Sequence, residues 1–177
     1  MKLIILDRDG VINHDSPHFI KSPDEWIPIP GSIEAIAALK KAGCTVAVCT
    51  NQSGVGRGYY DEDMLANIHA KMNAVLEKLG FAFDAITYCP HLPEVECNCR
   101  KPKPGMVLAL LKQFNAVAAD TWVVGDSFRD LEAGMAVGCK TLLVKTGNGE
   151  KTLEKHSAEL GNTVICDDLA SAVSVLL

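Results

Sequence analysis

A chain of 177 residues is long enough to bury a core of its own without disulfides, and a single domain is expected. Hydrophobic residues make up 48% and charged residues 22%, with no repeat or low-complexity tract, which excludes a disordered or fibrous protein. The formal net charge is -5 and the one dense basic spot is Arg100 to Pro104, which argues against nucleic acid as a partner. No apolar run approaches the roughly 20 residues of a membrane span.

The first apolar run, Leu3 to Leu6, leads directly into Asp7, Arg8 and Asp9, so neither a leader peptide nor membrane contact is expected. Further strands are predicted at Val46 to Cys49, Ile86 to Tyr88, Trp122 to Val124, Leu142 to Val144 and Val164 to Cys166. Each is almost free of polar residues, as strands covered on both faces are. Helices are predicted between them at Ser32 to Lys41, Asp61 to Leu79, Gly105 to Phe114, Phe128 to Val137, near Lys151 to Leu160, and from Leu169 onward. Asp61 and Ser127 are candidate N-caps, and Gly43, Gly80 and Gly138 candidate stops. This alternation predicts an α/β fold: a doubly wound, Rossmann-like, mostly parallel sheet flanked by helices. Such sheets bind ligands beyond the carboxyl ends of their strands. Polar segments follow four of the predicted strands: Asp7 to Gly10, Thr50 to Gly54, Cys89 to His91 and Gly125 to Ser127.

Asp7 and Asp9 lie two apart on a turn, and Asp126 and Asp130 about one helical turn apart. Asp7, the Asp9 carbonyl and Asp126 form an oxygen set suited to magnesium, with Asp130 behind them. Thr50, the main-chain amides of Asn51 and Gln52, and a lysine from Arg100-Lys101-Pro102 can supply donors to a phosphoryl group. Cys89, His91, Cys97 and Cys99 offer three thiolates and one imidazole, a closed set suited to structural zinc that would pin the loop carrying Arg100 and Lys101. The other cysteines, Cys44, Cys49, Cys139 and Cys166, read as small apolar residues. Without an export sequence the reducing cytoplasm is the expected compartment.

DRDGVIN at Asp7, TNQSG at Thr50, the lysine of RKP at Lys101 and GDSFRD at Gly125 resemble, in order, the four motifs of the haloacid dehalogenase superfamily of phosphatases. The resemblance spans Asp7 to Asp130. It implies that Asp7 is a nucleophile attacking phosphorus and Asp9 the acid and base. It makes Thr50 and Lys101 stabilisers of the transferred group and Asp126 a magnesium ligand. Neither interval that carries a cap domain in that superfamily has room for one here, so an open site framed by loops is expected. The zinc loop and TNQSGVGRG narrow the resemblance to the branch that holds heptose bisphosphate and histidinol-phosphate phosphatases. The first activity belongs to lipopolysaccharide-core precursor synthesis and the second to histidine biosynthesis. RKPKPGM and KTGNG lean toward the first, the short CPHLPEVECNC loop toward the second. Under the first reading the substrate is a small phosphorylated sugar acted on by a monomer. Arg100 would hold its distal phosphate, and Asp15, Ser16, Pro17, His18, Asn51, Gln52, Ser53 and Ser127 would line the site. His14, His69 and His156 are expected on the surface. The competing non-enzyme readings are a phospho-acceptor receiver domain and a zinc-stabilised binding module.

Overall fold

The computed structural model describes residues 1–177. Six strands form one parallel sheet: β1 (Leu3–Leu6), β2 (Thr45–Asn51), β3 (Ala85–Cys89), β4 (Trp122–Gly125), β5 (Lys140–Val144) and β6 (Val164–Cys166). Their order across the sheet is β3-β2-β1-β4-β5-β6. The chain therefore starts in the middle, winds outward one way through β2 and β3, and then crosses to the other side of β1 for β4. The switch between β1 and β4 opens a crevice at their carboxyl ends. An acceptor aspartate after the first, central strand departs from the receiver pattern, whose sheet order is 2-1-3-4-5.

Parallel strands need crossovers, and seven helices provide them or follow a strand: α1 (Ser32–Lys41), α2 (Ser53–Gly56), α3 (Glu62–Glu77), α4 (Gly105–Gln113), α5 (Phe128–Met135), α6 (Gly149–His156) and α7 (Leu169–Leu176). Side chains alternate along β1, and the two faces separate cleanly. Ile4 and Leu6 join Val46, Val48, Val124 and Leu142 beneath α1, α3 and α7, whereas Leu3 and Ile5 join Ala47, Val123 and the Met106, Val107 and Leu110 stripe of α4. The strand that carries the first acidic motif is thus buried on both faces and fixed in register by β2 and β4. No helix is long and apolar enough to cross a membrane.

Two expectations shift. β2 is longer than Val46 to Cys49 and includes Thr50 and Asn51, because these pair in register with Tyr88 and Cys89 of β3. The helix expected at Lys151 to Leu160 starts at Gly149 and ends at His156, with a 3-10 turn over Ser157–Glu159. Between β1 and α1 the only regular element is the 3-10 turn Pro23–Glu25, so no cap domain is inserted there. Asp61 caps α3 by accepting from the Met64 N–H at 2.8 Å. Asp168 does the same for α7 through the Ser171 N–H at 2.7 Å.

Candidate active site

A cleft of about 270 Å³ lies over the carboxyl ends of β1, β2 and β4, and of the residues lining it only Phe19 and Ile20 are apolar. Asp7 continues the sheet, its N–H donating to the Val124 carbonyl at 3.0 Å, so the carboxylate leaves the strand at the crevice floor. The chain must then turn away within three residues. Gly10, at φ +85°, does this, and a Cβ there would run into the Asp126 carboxylate. Gly147 packs beside Gly10 at the same carboxylate, and a Cβ there would likewise collide with Asp126 Oδ2 and with the Gly10 backbone.

Lys101 is the counter-charge. It is buried, and its Nζ reaches Asp7 Oδ1 at 3.1 Å, Asp130 Oδ1 at 2.7 Å and the Cys49 carbonyl at 2.6 Å. Its main chain is clamped by a reciprocal pair with Asn51: the amide Nδ2 donates to the Lys101 carbonyl and Oδ1 accepts from the Lys101 N–H, both at 3.1 Å. Asp130 also accepts the Ser127 N–H at 3.1 Å, so one carboxylate starts α5 and holds the lysine. Burial alone would lower the lysine's pKa, but Asp130 and then Asp7 outweigh it and drive it upward, so Lys101 is charged.

The carboxyl groups respond to the same crowding. Burial, then the Asp130 charge, pushes Asp7 well above its ordinary value despite Lys101. Burial and Asp130 likewise push Asp126 up to about 7, although the Asn148 N–H donates to its Oδ2 at 2.8 Å. Asp9 goes the other way. Burial raises it, but the Arg8 charge and hydrogen bonds from Asn13, Arg8 and Gln52 prevail and hold it below the usual range.

Carboxylate oxygens of Asp7, Asp126 and Asp130 all come within 4.8 Å of one another. Asp130 is engaged through both oxygens, by Lys101 and Ser127, whereas Asp7 meets Lys101 through Oδ1 alone and can turn Oδ2, together with Asp126, to a hard cation. The Asp9 carboxylate is committed to Arg8, Asn13 and Gln52, so its carbonyl is the oxygen it can offer. The donors fit a magnesium ion.

At the end of β3 the Cys89, His91, Cys97 and Cys99 ligand atoms also gather within 4.8 Å. Sγ of Cys89 lies 3.4 Å from His91 Nδ1, 3.9 Å from Cys97 Sγ and 2.8 Å from Cys99 Sγ, and Cys99 Sγ lies 3.3 Å from the same nitrogen. A tetrahedral ion with bonds of roughly 2.3 Å to sulfur and 2.0 Å to nitrogen would set edges of about 3.5 to 3.8 Å. The four can hold a metal, directly before Arg100 and Lys101 in sequence.

The cleft brings together Asp7, Asp9, Asp15, Ser16, Thr50, Asn51, Gln52, Ser53, Arg100, Lys101, Asp126, Ser127 and Asp130. It does not include Pro17, which lines an adjoining groove with His14 and Thr146, or His18, which is exposed and whose carbonyl accepts from Lys21 Nζ. His69 is not a surface residue: it is buried on the inner face of α3, with Nε2 3.2 Å from Arg8 Nη1. Sequence reasoning missed Arg57, Arg129, Phe19, Ile20 and Asn148, all on the cleft wall. Arg57 and Arg129 stand inside motif-like stretches, SGVGRG and GDSFRD, where their charge could have been noticed. Asn148 had only the KTGNG stretch to mark it. Its Nδ2 donates to Asp15 Oδ2 at 3.1 Å and its main chain holds Asp126.

A central parallel sheet with a nucleophile-type aspartate after its first strand and an acidic pair after its fourth defines the class of the HAD-like hydrolases. The model of the HAD-hydrolase-like family matches residues 98–172. A D-glycero-beta-D-manno-heptose-1,7-bisphosphate 7-phosphatase of Pseudomonas putida is 54% identical over 177 residues, all of both chains. One of Neisseria meningitidis is 56% identical over 160 residues, 90% of this chain and 86% of the relative. A crystal structure of D,D-heptose 1,7-bisphosphate phosphatase from B. bronchiseptica, complexed with magnesium and phosphate, is 50% identical with a TM-score of 0.96, covering 99% of this chain and 98% of that one. The chain belongs to this family of heptose bisphosphate phosphatases within the HAD-like hydrolases.

Proposed function

We propose that the protein hydrolyses the C7 phosphate of D-glycero-beta-D-manno-heptose 1,7-bisphosphate through a phosphorylated Asp7, a step in the synthesis of lipopolysaccharide-core precursors. The observation that carries the reading is the cleft itself: Asp7, Lys101 and Asp126 at its floor, Asp9 beside them, and three arginines on its wall. Arg57, Arg100 and Arg129 have no carboxylate within ion-pair distance, and Arg57 and Arg129 depress the Arg100 pKa after burial has done so. Like charges gathered without counter-ions suit a ligand that brings a second phosphate.

Asp7 attacks phosphorus, and the phosphoryl oxygens find the Lys101 ammonium, the Thr50 hydroxyl and nearby main-chain N–H groups of β2 and its following turn. Asp9 hands a proton to the departing O7, so the sugar leaves as an alcohol rather than an alkoxide. An acid held low by Arg8 takes up that proton when the phosphoryl dianion lies against it and gives it up readily. Asp9, now ionised, draws a proton from water. The hydroxide attacks the acyl phosphate at phosphorus, releasing phosphate and restoring Asp7. Magnesium, held by Asp7, the Asp9 carbonyl and Asp126, supplies positive charge that lets two anions approach. Zinc in the Cys89, His91, Cys97 and Cys99 site is structural in this reading, since four protein ligands leave no open position.

Phosphate release with magnesium, from heptose 1,7-bisphosphate and from histidinol phosphate in parallel, tests the assignment. A kcat/KM for the bisphosphate at least about 100-fold the larger is expected from the loss of the charge-assisted contacts to the second phosphate in the other ester. A preference for histidinol phosphate would overturn the substrate while leaving the chemistry.

A further inference from the structure

α3 places Leu65, Ile68, Met72 and Leu76 in the core, and on this apolar stripe one residue, His69, is polar. Its ring nitrogen Nε2 lies 3.2 Å from Nη1 of Arg8, itself fully buried. A guanidinium has only N–H donors, so Nε2 must accept, and the imidazole is neutral with its proton on Nδ1. Burial, with the Arg8 charge adding to it, lowers the His69 pKa to about 3, in agreement with this geometry.

The other edge of the same guanidinium grips one oxygen of Asp9. Nε and Nη2 donate to Oδ1 at 3.0 and 2.9 Å, and Asn13 Nδ2 donates to it at 2.9 Å. Oδ2 receives one donor, Gln52 Nε2 at 3.0 Å, and Gln52 is in turn fixed by the Tyr60 hydroxyl at 2.6 Å. Gln52 is on the cleft wall and Arg8, Asn13 and His69 are not. Oδ1 therefore points into the protein with three donors on it, and Oδ2 points at the cleft.

We propose that His69, acting through Arg8, is a positioning residue for Asp9, holding its carboxyl group so that Oδ2 is presented to the leaving oxygen. The inference rests on the acid role given to Asp9 above. Without an acceptor at position 69, Nη1 would be a buried, unpaired donor, and the guanidinium would turn to satisfy it and take Oδ1 along.

The test exploits what a general acid does. A sugar or other alkyl phosphate needs its leaving oxygen protonated, whereas p-nitrophenyl phosphate leaves as a stable anion. Since kcat/KM reports only steps up to loss of the leaving group, later hydrolysis of the acyl phosphate does not enter. His69→Leu is expected to lower kcat/KM for the heptose bisphosphate by about tenfold or more and for p-nitrophenyl phosphate by less than about threefold. His69→Gln, whose amide oxygen can accept from Arg8, should recover most of the loss. His69→Asn, too short to reach the guanidinium, replaces the leucine variant if that one does not fold. Equal losses on both esters, or none, would overturn the proposal. Asp9→Asn measured on the same pair separates the two readings: if it shows no leaving-group dependence, the acid role of Asp9 fails. If it does and the His69 variants do not, only the positioning role fails.

Discussion

Two clusters of ligand-type residues adjoin Lys101, one through its ammonium group and one through the chain just before it, and they are built on opposite principles. The acidic one gathers hard oxygens from distant parts of the chain, Asp7 after β1 and Asp126 and Asp130 after β4, at the floor of a cleft, where burial and then the neighbouring negative charge raise the pKa values of Asp7 and Asp126. The thiol and imidazole one takes soft donors from eleven consecutive positions, Cys89 to Cys99, and closes them on one another. The first is electrostatically frustrated, so that a cation and a phosphate relieve it. The second would leave nothing open for substrate and can act only by shaping the backbone that follows it. Chemistry and scaffolding are thereby divided, with Lys101 adjoining both.

The comparison breaks most visibly at Asp7. Asp7→Asn should abolish turnover, on the order of 10⁴-fold or more in kcat, because an amide is no nucleophile. In metal-free protein the same change should raise Tm. A carboxyl whose folded pKa stands well above its unfolded value costs stability when ionised at neutral pH, and the amide removes that cost. Calorimetry with and without magnesium checks the sign, since magnesium should stabilise the wild type and not the variant. A Tm that falls without metal would mean that the Lys101 pair outweighs the crowding.

The soft cluster should behave conversely. Cys97→Ser, with loss of zinc measured by metal analysis, is expected to lower Tm and to reduce kcat/KM by roughly 10- to 100-fold through misplaced Arg100 and Lys101, and added magnesium should not restore it. Full kinetics in a zinc-free protein would show that the Asn51 clamp on the Lys101 main chain suffices without the metal.

What the sequence could reveal follows the same division. Contiguous patterns were legible: apolar runs bounded by polar turns marked all six strands, and C-x-H-x5-C-x-C showed its donor set without any knowledge of the fold. The acidic floor was legible because each carboxylate stands in a short motif after a strand. Residues whose role depends on a partner remote in sequence were not. Arg8 and His69 are 61 positions apart, and a histidine among leucines on an amphipathic helix gives no sign of facing a buried guanidinium. Asn148 joins Asp15 and Asp126 from a loop 133 and 22 residues away. Pro17 and His18, expected to line the site, stand outside the cleft lining. The loop is short, but Phe19, at φ +67°, turns its own side chain and that of Ile20 to the cleft while His18 faces solvent.

The smallest effect is also the one that tests the buried histidine without any substrate. His69 has a folded pKa of about 3 against an ordinary value near 6.5, so between these limits the unfolded chain binds a proton that the folded chain does not. Stability from this group is full above pH 6.5 and is lost as pH falls, by up to about 1.4 kcal/mol per pH unit. Asp126, with its folded pKa near 7, acts in the opposite sense over part of the same range, gaining stability as pH falls toward 4, so the slope of the wild type alone decides nothing. The difference between wild type and His69→Gln isolates the histidine, because both keep Asp126. From pH 7 to 5 urea-unfolding free energies should fall more steeply for wild type than for the glutamine variant. Parallel slopes would mean that the imidazole takes up its proton in the fold, which a ring accepting from Arg8 cannot do while that hydrogen bond is kept.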